Sequence, residues 1–120
     1  MNKPKLLYVD DEAINLYLFR EMFRNDFEIL IVSSGKEALE ELREIEDIQF
    51  VITDMRMPEM DGLQFIRKAK ENRPKVIYCL LTGYDVTKEM EKAIEEKQVA
   101  RYFAKPLDPA EIRMFFSART

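Results

Sequence analysis

A few side chains in this 120-residue sequence could do chemistry if they met: the acids Asp10, Asp11 and Glu12, the acid Asp54, the hydroxyl of Thr82 and the ammonium of Lys105. These positions close four short apolar runs. Taken singly, each has an ordinary structural use. Asp10 or Asp11 could cap a helix, Thr82 could turn the chain with Gly83, and Lys105 could simply face water. Taken together, they pose an electrostatic problem. Carboxylates about 4 Å apart repel by about 4 kcal/mol at an effective dielectric near 20, so Asp10, Asp11 and Asp54 in one place require a cation. A small set of oxygen ligands suits Mg²⁺, which retains several waters and binds through few carboxylates. A Mg²⁺ ion, a hydroxyl and an ammonium around one carboxylate make a cradle for a phosphoryl group, with Asp54 as the nucleophile.

The residues that are missing narrow the choice further. The sequence has no histidine, which excludes catalysis by an internal imidazole. One cysteine without histidine cannot fill the usual zinc ligand set. Chemistry here must run on carboxylates, hydroxyls and lysines. A net charge of −4 and an isoelectric point near 5.0 argue against a basic face for nucleic acid. Cys79, set among Val76, Ile77, Leu80 and Leu81, reads as a small core residue, and a lone cysteine fits a reducing compartment. The longest apolar stretch, Val76 to Leu81, is too short to cross a bilayer, and no signal segment opens the sequence. The expected location is the cytoplasm. With 47% hydrophobic and 35% charged residues, the composition is that of a globular chain. A single domain over 1–120 is expected, large enough to bury roughly two-thirds of its unfolded surface.

The elements that must position these groups alternate about five times. Lys5 to Val9 is a predicted strand, and Ile14, Tyr17, Leu18 and Met22 then fall at helical spacing. Phe27 to Val32 is the second strand, and Ser34 with Glu37 forms a capping-box pattern before Ala38, Leu39 and Leu42. Phe50 to Thr53 is the third, followed by Asp61 as a cap for a helix carrying Leu63, Phe65, Ile66 and Ala69. Val76 to Leu81 precedes a helix with Met90, Ala93 and Ile94. Arg101 to Ala104 is the fifth strand, and "DPAE" places Asp108 at an N-cap with Pro109 at N1. Strands that are apolar almost throughout imply a parallel sheet covered on both faces. Right-handed crossovers make it a doubly wound α/β sandwich. Ligands bind such sheets beyond the carboxyl ends of the strands, the edge to which Asp10, Asp11, Asp54, Thr82 and Lys105 all belong.

The whole sequence resembles the receiver domain of two-component response regulators, through "LLYVDDE", "SSGKEAL", "ITDMRMPEMDG", "LLTGY" and "YFAKPLDPAEI" in order. The resemblance implies a flavodoxin-like (βα)5 fold with strand order 2-1-3-4-5. It implies that Asp54 accepts a phosphoryl group from a phosphohistidine on a sensor histidine kinase or histidine phosphotransfer protein. Asp11, Asp54 and the backbone carbonyl of Arg56 would then bind Mg²⁺, with Asp10 helping through water. Thr82 and Lys105 would contact the phosphoryl oxygens, and Tyr102 is the aromatic that turns inward when the threonine moves. Arg56 and Tyr84 occupy the positions that modulate hydrolysis, and the Lys105–Pro106 bond would be cis. The imidazole this sequence lacks would be the donor's.

The sequence departs from the family in part. "EEKQVAR" before Tyr102 lacks the Gly-Ala-Asp-Asp pattern of many DNA-binding regulators, so their dimer face is not implied. "LTGY" with "RYFAKPLD" is closer to receivers attached to cyclic-dinucleotide phosphodiesterases or hybrid kinases. Two other readings fit the residues less well. A phosphorylation-independent pseudo-receiver usually lacks one of the acids or the lysine, and all are present here. A Mg²⁺-dependent phosphohydrolase of the haloacid dehalogenase type wants D-x-D-x-T, where this sequence has "DMRMP". Output is expected from the fourth helix, fifth strand and fifth helix. There "MFF" at 114–116 leaves one apolar residue more than a buried stripe needs, framed by Arg101 and Arg113, so a homodimer through this face is one expectation.

Overall fold

Five apolar runs become five parallel strands, each followed by a helix that covers part of the sheet. The structure, a computed structural model, describes residues 3–83 and 86–119. The strands are β1 (Lys5–Val9), β2 (Glu28–Val32), β3 (Ile48–Asp54), β4 (Ile77–Thr82) and β5 (Arg101–Ala104). The helices are α1 (Ala13–Phe23), α2 (Gly35–Glu44), α3 (Gly62–Asn72), α4 (Lys88–Glu95) and α5 (Pro109–Ser117). The sheet order is β2-β1-β3-β4-β5, all pairs parallel. Three strand readings shift slightly: β2 starts at Glu28, β3 runs from Ile48 through Asp54, and β4 runs from Ile77 through Thr82. The reactive side chains at these ends therefore stand on strand backbone, held by ladder hydrogen bonds.

Alternation along β1 sends Leu7 and Val9 to one face and Leu6 and Tyr8 to the other. The first face packs against α2 and α3 through aliphatic residues, among them Leu42, Leu63, Ile66 and Leu80. The second packs against α1 and α5, and seven of the eight phenylalanines lie there. Their rings form a continuous run from Tyr8 to Phe19 (3.9 Å), Phe23 (4.7 Å), Phe27 (6.2 Å) and Phe116 (5.7 Å). Truncating a ring at the centre of such a run costs about 3–5 kcal/mol. The aromatic layer thus fixes how α1 sits on β1.

Helix ends are satisfied largely by side chains. Asp61 and Gln64 form a reciprocal capping box at α3, while Thr87 caps α4 and Asp108 caps α5. At α2 the pattern works only one way. Ser34 Oγ accepts from the Glu37 N–H at 3.1 Å, but the Glu37 carboxylate accepts from the Ser33 hydroxyl at 2.7 Å instead of reaching the Ser34 backbone. The other end of α2 is closed by Arg73, whose guanidinium donates to the carbonyls of Leu42, Ile45 and Glu46. A cation there also complements the negative end of the helix dipole. The Lys105–Pro106 bond is cis.

Two surface expectations change. The spacing of Ile14, Tyr17, Leu18 and Met22 locates α1, yet these four face outward, 39–59% exposed, while Leu16, Phe19 and Phe23 make the buried stripe. On α5, Met114 is 74% exposed and Phe115 and Phe116 are buried. Arg113 does not frame that face as a free charge. It pairs with Asp26 at 3.1 Å, donates to the Met22 carbonyl and lies over the Phe23 ring, so it ties α5 to the end of α1.

Candidate functional site

Parallel strands deliver their carboxyl ends to one edge, and there the structure gathers the acids. Asp10 follows β1, Asp54 ends β3, Thr82 ends β4 and Lys105 follows β5. Ligand oxygens of Asp10, Asp11 and Asp54 all lie within 4.8 Å of one another. Asp10 is wholly buried, Asp54 is 6% exposed and Thr82 is 5% exposed, whereas Asp11 faces the solvent. The Lys105 ammonium lies 2.9 Å from Asp54 Oδ1. A cleft of about 390 Å³ opens over these groups, lined by Asp11, Glu12, Asp54, Arg56, Thr82 and Lys105 among others.

The electrostatics follow from this placement. Burial pushes the Asp54 carboxyl above the usual range, and the charges of Asp10 and Asp11 push the same way, against the pull of Lys105. Burial works to lower Lys105, but its hydrogen bond to Asp54 and the charges of Asp54, Asp10 and Glu12 prevail and raise it. The negative charge is thus only partly compensated. Oxygen ligands at this separation, two of them buried, fit a small divalent cation and offer nothing to a soft one.

Backbone packing holds Asp54 in place. The Gly62 N–H donates to the Met55 carbonyl at 2.8 Å, bringing the start of α3 against the end of β3. A Cβ on Gly62 would stand 2.4 Å from the Asp54 carbonyl oxygen, so glycine here is a requirement of space. Asp10 is held differently. Its Oδ1 accepts the Glu12 N–H at 3.0 Å and its Oδ2 accepts the Tyr8 hydroxyl at 2.8 Å. In the sequence Tyr8 reads only as a strand residue. The signal was available, because residues two apart on a strand share a face.

Five of the residues singled out from the sequence therefore meet: Asp10, Asp11, Asp54, Thr82 and Lys105. Arg56 lies on the rim of the same cleft, exposed. Tyr84 lies outside the described residues. Tyr102 is elsewhere. It is half-buried on β5 against the aliphatic layer, and its hydroxyl is enclosed without a hydrogen-bond partner. Burial, with Glu91 nearby, pushes its phenol up to about 12. A second cleft of about 540 Å³, lined by Met57, Thr87 and Met90 among others, shares Met55, Arg56 and Thr82 with the first. A larger cleft, about 850 Å³, is at the opposite edge of the sheet, where Lys5 pairs with Asp47 and Glu28.

A doubly wound, flavodoxin-like sheet with three acids and a lysine at its carboxyl edge defines a class of α/β proteins. Solved structures share the architecture closely. An adenylate cyclase from Rhodopirellula baltica superposes with a TM-score of 0.90 at 32% identity, over 97% of this chain and 86% of that one. The signal receiver domain of an HD domain-containing protein from Pseudomonas fluorescens gives 0.88 at 26% identity, over 98% and 94%. Among relatives by sequence, the two-component response regulator ORR11 of Oryza sativa is 30% identical across 95% of this chain and 79% of its own length. The hydrogenase transcriptional regulatory protein HoxA of Bradyrhizobium diazoefficiens is 30% identical across 89% of this chain, which spans only 22% of that protein. The family model of the response regulator receiver domain matches residues 6–116. The chain belongs to that family, the receivers of two-component signalling. Among the described residues, no helix is long and apolar enough to cross a membrane.

Proposed function

We propose that the chain, as a single receiver unit over 1–120, accepts a phosphoryl group on Asp54 from a phosphohistidine of a sensor kinase or phosphotransfer protein. The observation that carries this reading is the 2.9 Å contact between Lys105 and Asp54 at the centre of the acid cluster. In the transfer, a P–O bond forms to Asp54 as the P–N bond to the donor imidazole breaks. Asp11 and Asp54, with the Arg56 carbonyl, would hold Mg²⁺, and Asp10 would assist through water. The ion supplies charge neutralisation at the transferring phosphoryl oxygens. Lys105 meets one of those oxygens with its ammonium, and the Thr82 hydroxyl meets another. The chain is not a conventional enzyme: it modifies itself and later releases its own phosphate. Arg56, exposed at the rim, and Tyr84 would set how readily water reaches the phosphoryl group.

The donor would come in across α1. That helix starts at the mouth of the cleft, and its outer face carries Ile14, Tyr17, Leu18 and Met22. The new charge would draw Thr82 toward the phosphoryl group and give the Tyr102 ring a second place to pack, changing the surface of α4, β5 and α5. Exposed Met114 supports a contact there for an output partner or a second copy. A cytoplasmic site of action fits this chemistry.

Calorimetry of Asp11→Ala tests the metal arrangement, with loss of Mg²⁺ binding expected and unchanged affinity counting against it. Amide exchange with beryllofluoride, a phosphoryl mimic, tests the switch. Altered protection between residues 90 and 116 is expected, and its absence would reject this output route.

A further inference from the structure

Asp10 is the most enclosed of the three acids, and one of its donors comes from outside the cleft. Tyr8 is 2% exposed, and its ring lies flat on Phe19 of α1, with centroids 3.9 Å apart and planes 4° from parallel. That stack fixes the ring, and its hydroxyl meets Asp10 Oδ2 at 2.8 Å. The rest of this layer around β1 is apolar, including Leu6, Phe50, Ile52 and Phe103, so packing alone does not ask for a hydroxyl here. The phenol is a permanent, uncharged donor placed where the acid cluster is most crowded.

We propose that Tyr8 is a positioning residue that lowers the affinity of the acid cluster for its divalent cation, acting through Asp10. The inference rests on the receiver reading of the site and extends it to a residue that touches neither the cation nor the phosphoryl group. A hydrogen bond to a charged acceptor is stronger than one to a neutral acceptor. A cation at the cluster draws on the charge of Asp10, so the phenol bond is strongest in the cation-free protein and weaker in the loaded one. An interaction that favours the free state opposes binding, and its removal favours binding by the same amount.

Tyr8→Phe keeps the ring on Phe19 and removes only the hydroxyl. Its Mg²⁺ affinity, measured by titration calorimetry, is expected to tighten by roughly three- to tenfold, a fraction of the worth of one hydrogen bond to a charged group. The cation-free variant is expected to melt lower than wild type and to gain more from saturating Mg²⁺. A purely structural role for the hydroxyl predicts the lower melting point with unchanged or weaker Mg²⁺ binding, and that result overturns the proposal. The same substitution in an Asp10→Asn background, where no charge remains to be offset, is expected to leave Mg²⁺ affinity unchanged; equal tightening in both backgrounds also overturns it. Labelling by acetyl phosphate is followed on the same samples. Normal labelling with unchanged metal affinity in Tyr8→Phe removes the role of Tyr8 alone. Absence of both labelling and Mg²⁺ binding in the wild type removes the receiver reading, and this inference with it.

Discussion

Lys105 Nζ stands 2.9 Å from Asp54 Oδ1, a pair in which the carboxylate is almost fully buried and the lysine side chain is one-third exposed. The ammonium already stands beside the carboxylate proposed to form the new bond. It is also the nearest compensation for three converging acids. Lys105→Met is expected to lower the stability of the metal-free protein by about 1 kcal/mol, less than a fully buried pair would give because solvent screens the lysine. Mg²⁺ is expected to restore more stability to the variant than to wild type. Urea midpoints with and without Mg²⁺ measure both effects, and a variant no less stable than wild type would show that the pair contributes nothing.

The raised Asp54 carboxyl has a consequence for pH. In metal-free protein the folded state holds the Asp54 proton to higher pH than the unfolded chain does. Between the ordinary carboxylate range and that raised value the native state binds more protons, so this group's contribution to stability falls as pH rises. Asp54→Asn removes the contribution. The variant is expected to be more stable than wild type at neutral pH without Mg²⁺, and the gap is expected to close as pH falls below the carboxylate range. Denaturation of both proteins across that range checks the sign.

The outward stripe on α1 gives a test that separates docking from chemistry. Leu18→Glu sits on an exposed position, so folding stability should change by less than about 0.5 kcal/mol. Transfer from a phosphorylated donor protein is expected to slow by roughly tenfold or more, as for loss of a central contact. Labelling by acetyl phosphate, which needs no docking face, is expected to be unchanged. Equal slowing with both donors would place the effect in the site rather than on α1.

The sequence was most informative where chemistry and topology coincide. Apolar runs ending on Asp10, Asp54, Thr82 and Lys105 point to one sheet edge because parallel strands must bring those ends together. Helix α1 was less legible. Ile14, Tyr17, Leu18 and Met22 make one helical stripe, and Leu16, Phe19 and Phe23 make another. Periodicity cannot say which faces inward; the stack of Phe19 on Tyr8 decides it. Glu37 fitted a capping box by spacing, yet a neighbouring serine hydroxyl took its carboxylate. The resemblance singled out Tyr102 as the aromatic that turns inward, but not the enclosure of its hydroxyl without a partner, which depends on packing against the aliphatic layer.

The central claim concerns one atom, the carboxylate oxygen of Asp54 that takes the phosphoryl group. Its most direct test is to label the protein with acetyl phosphate and Mg²⁺, trap the acyl phosphate by borohydride reduction, and locate the modified residue by peptide mass spectrometry. The modification is expected on the peptide containing Asp54, to be absent without Mg²⁺, and to disappear in Asp54→Asn. Labelling of Asp54→Asn at the wild-type rate, or a modified residue mapped to another position in the wild type, would contradict the assignment.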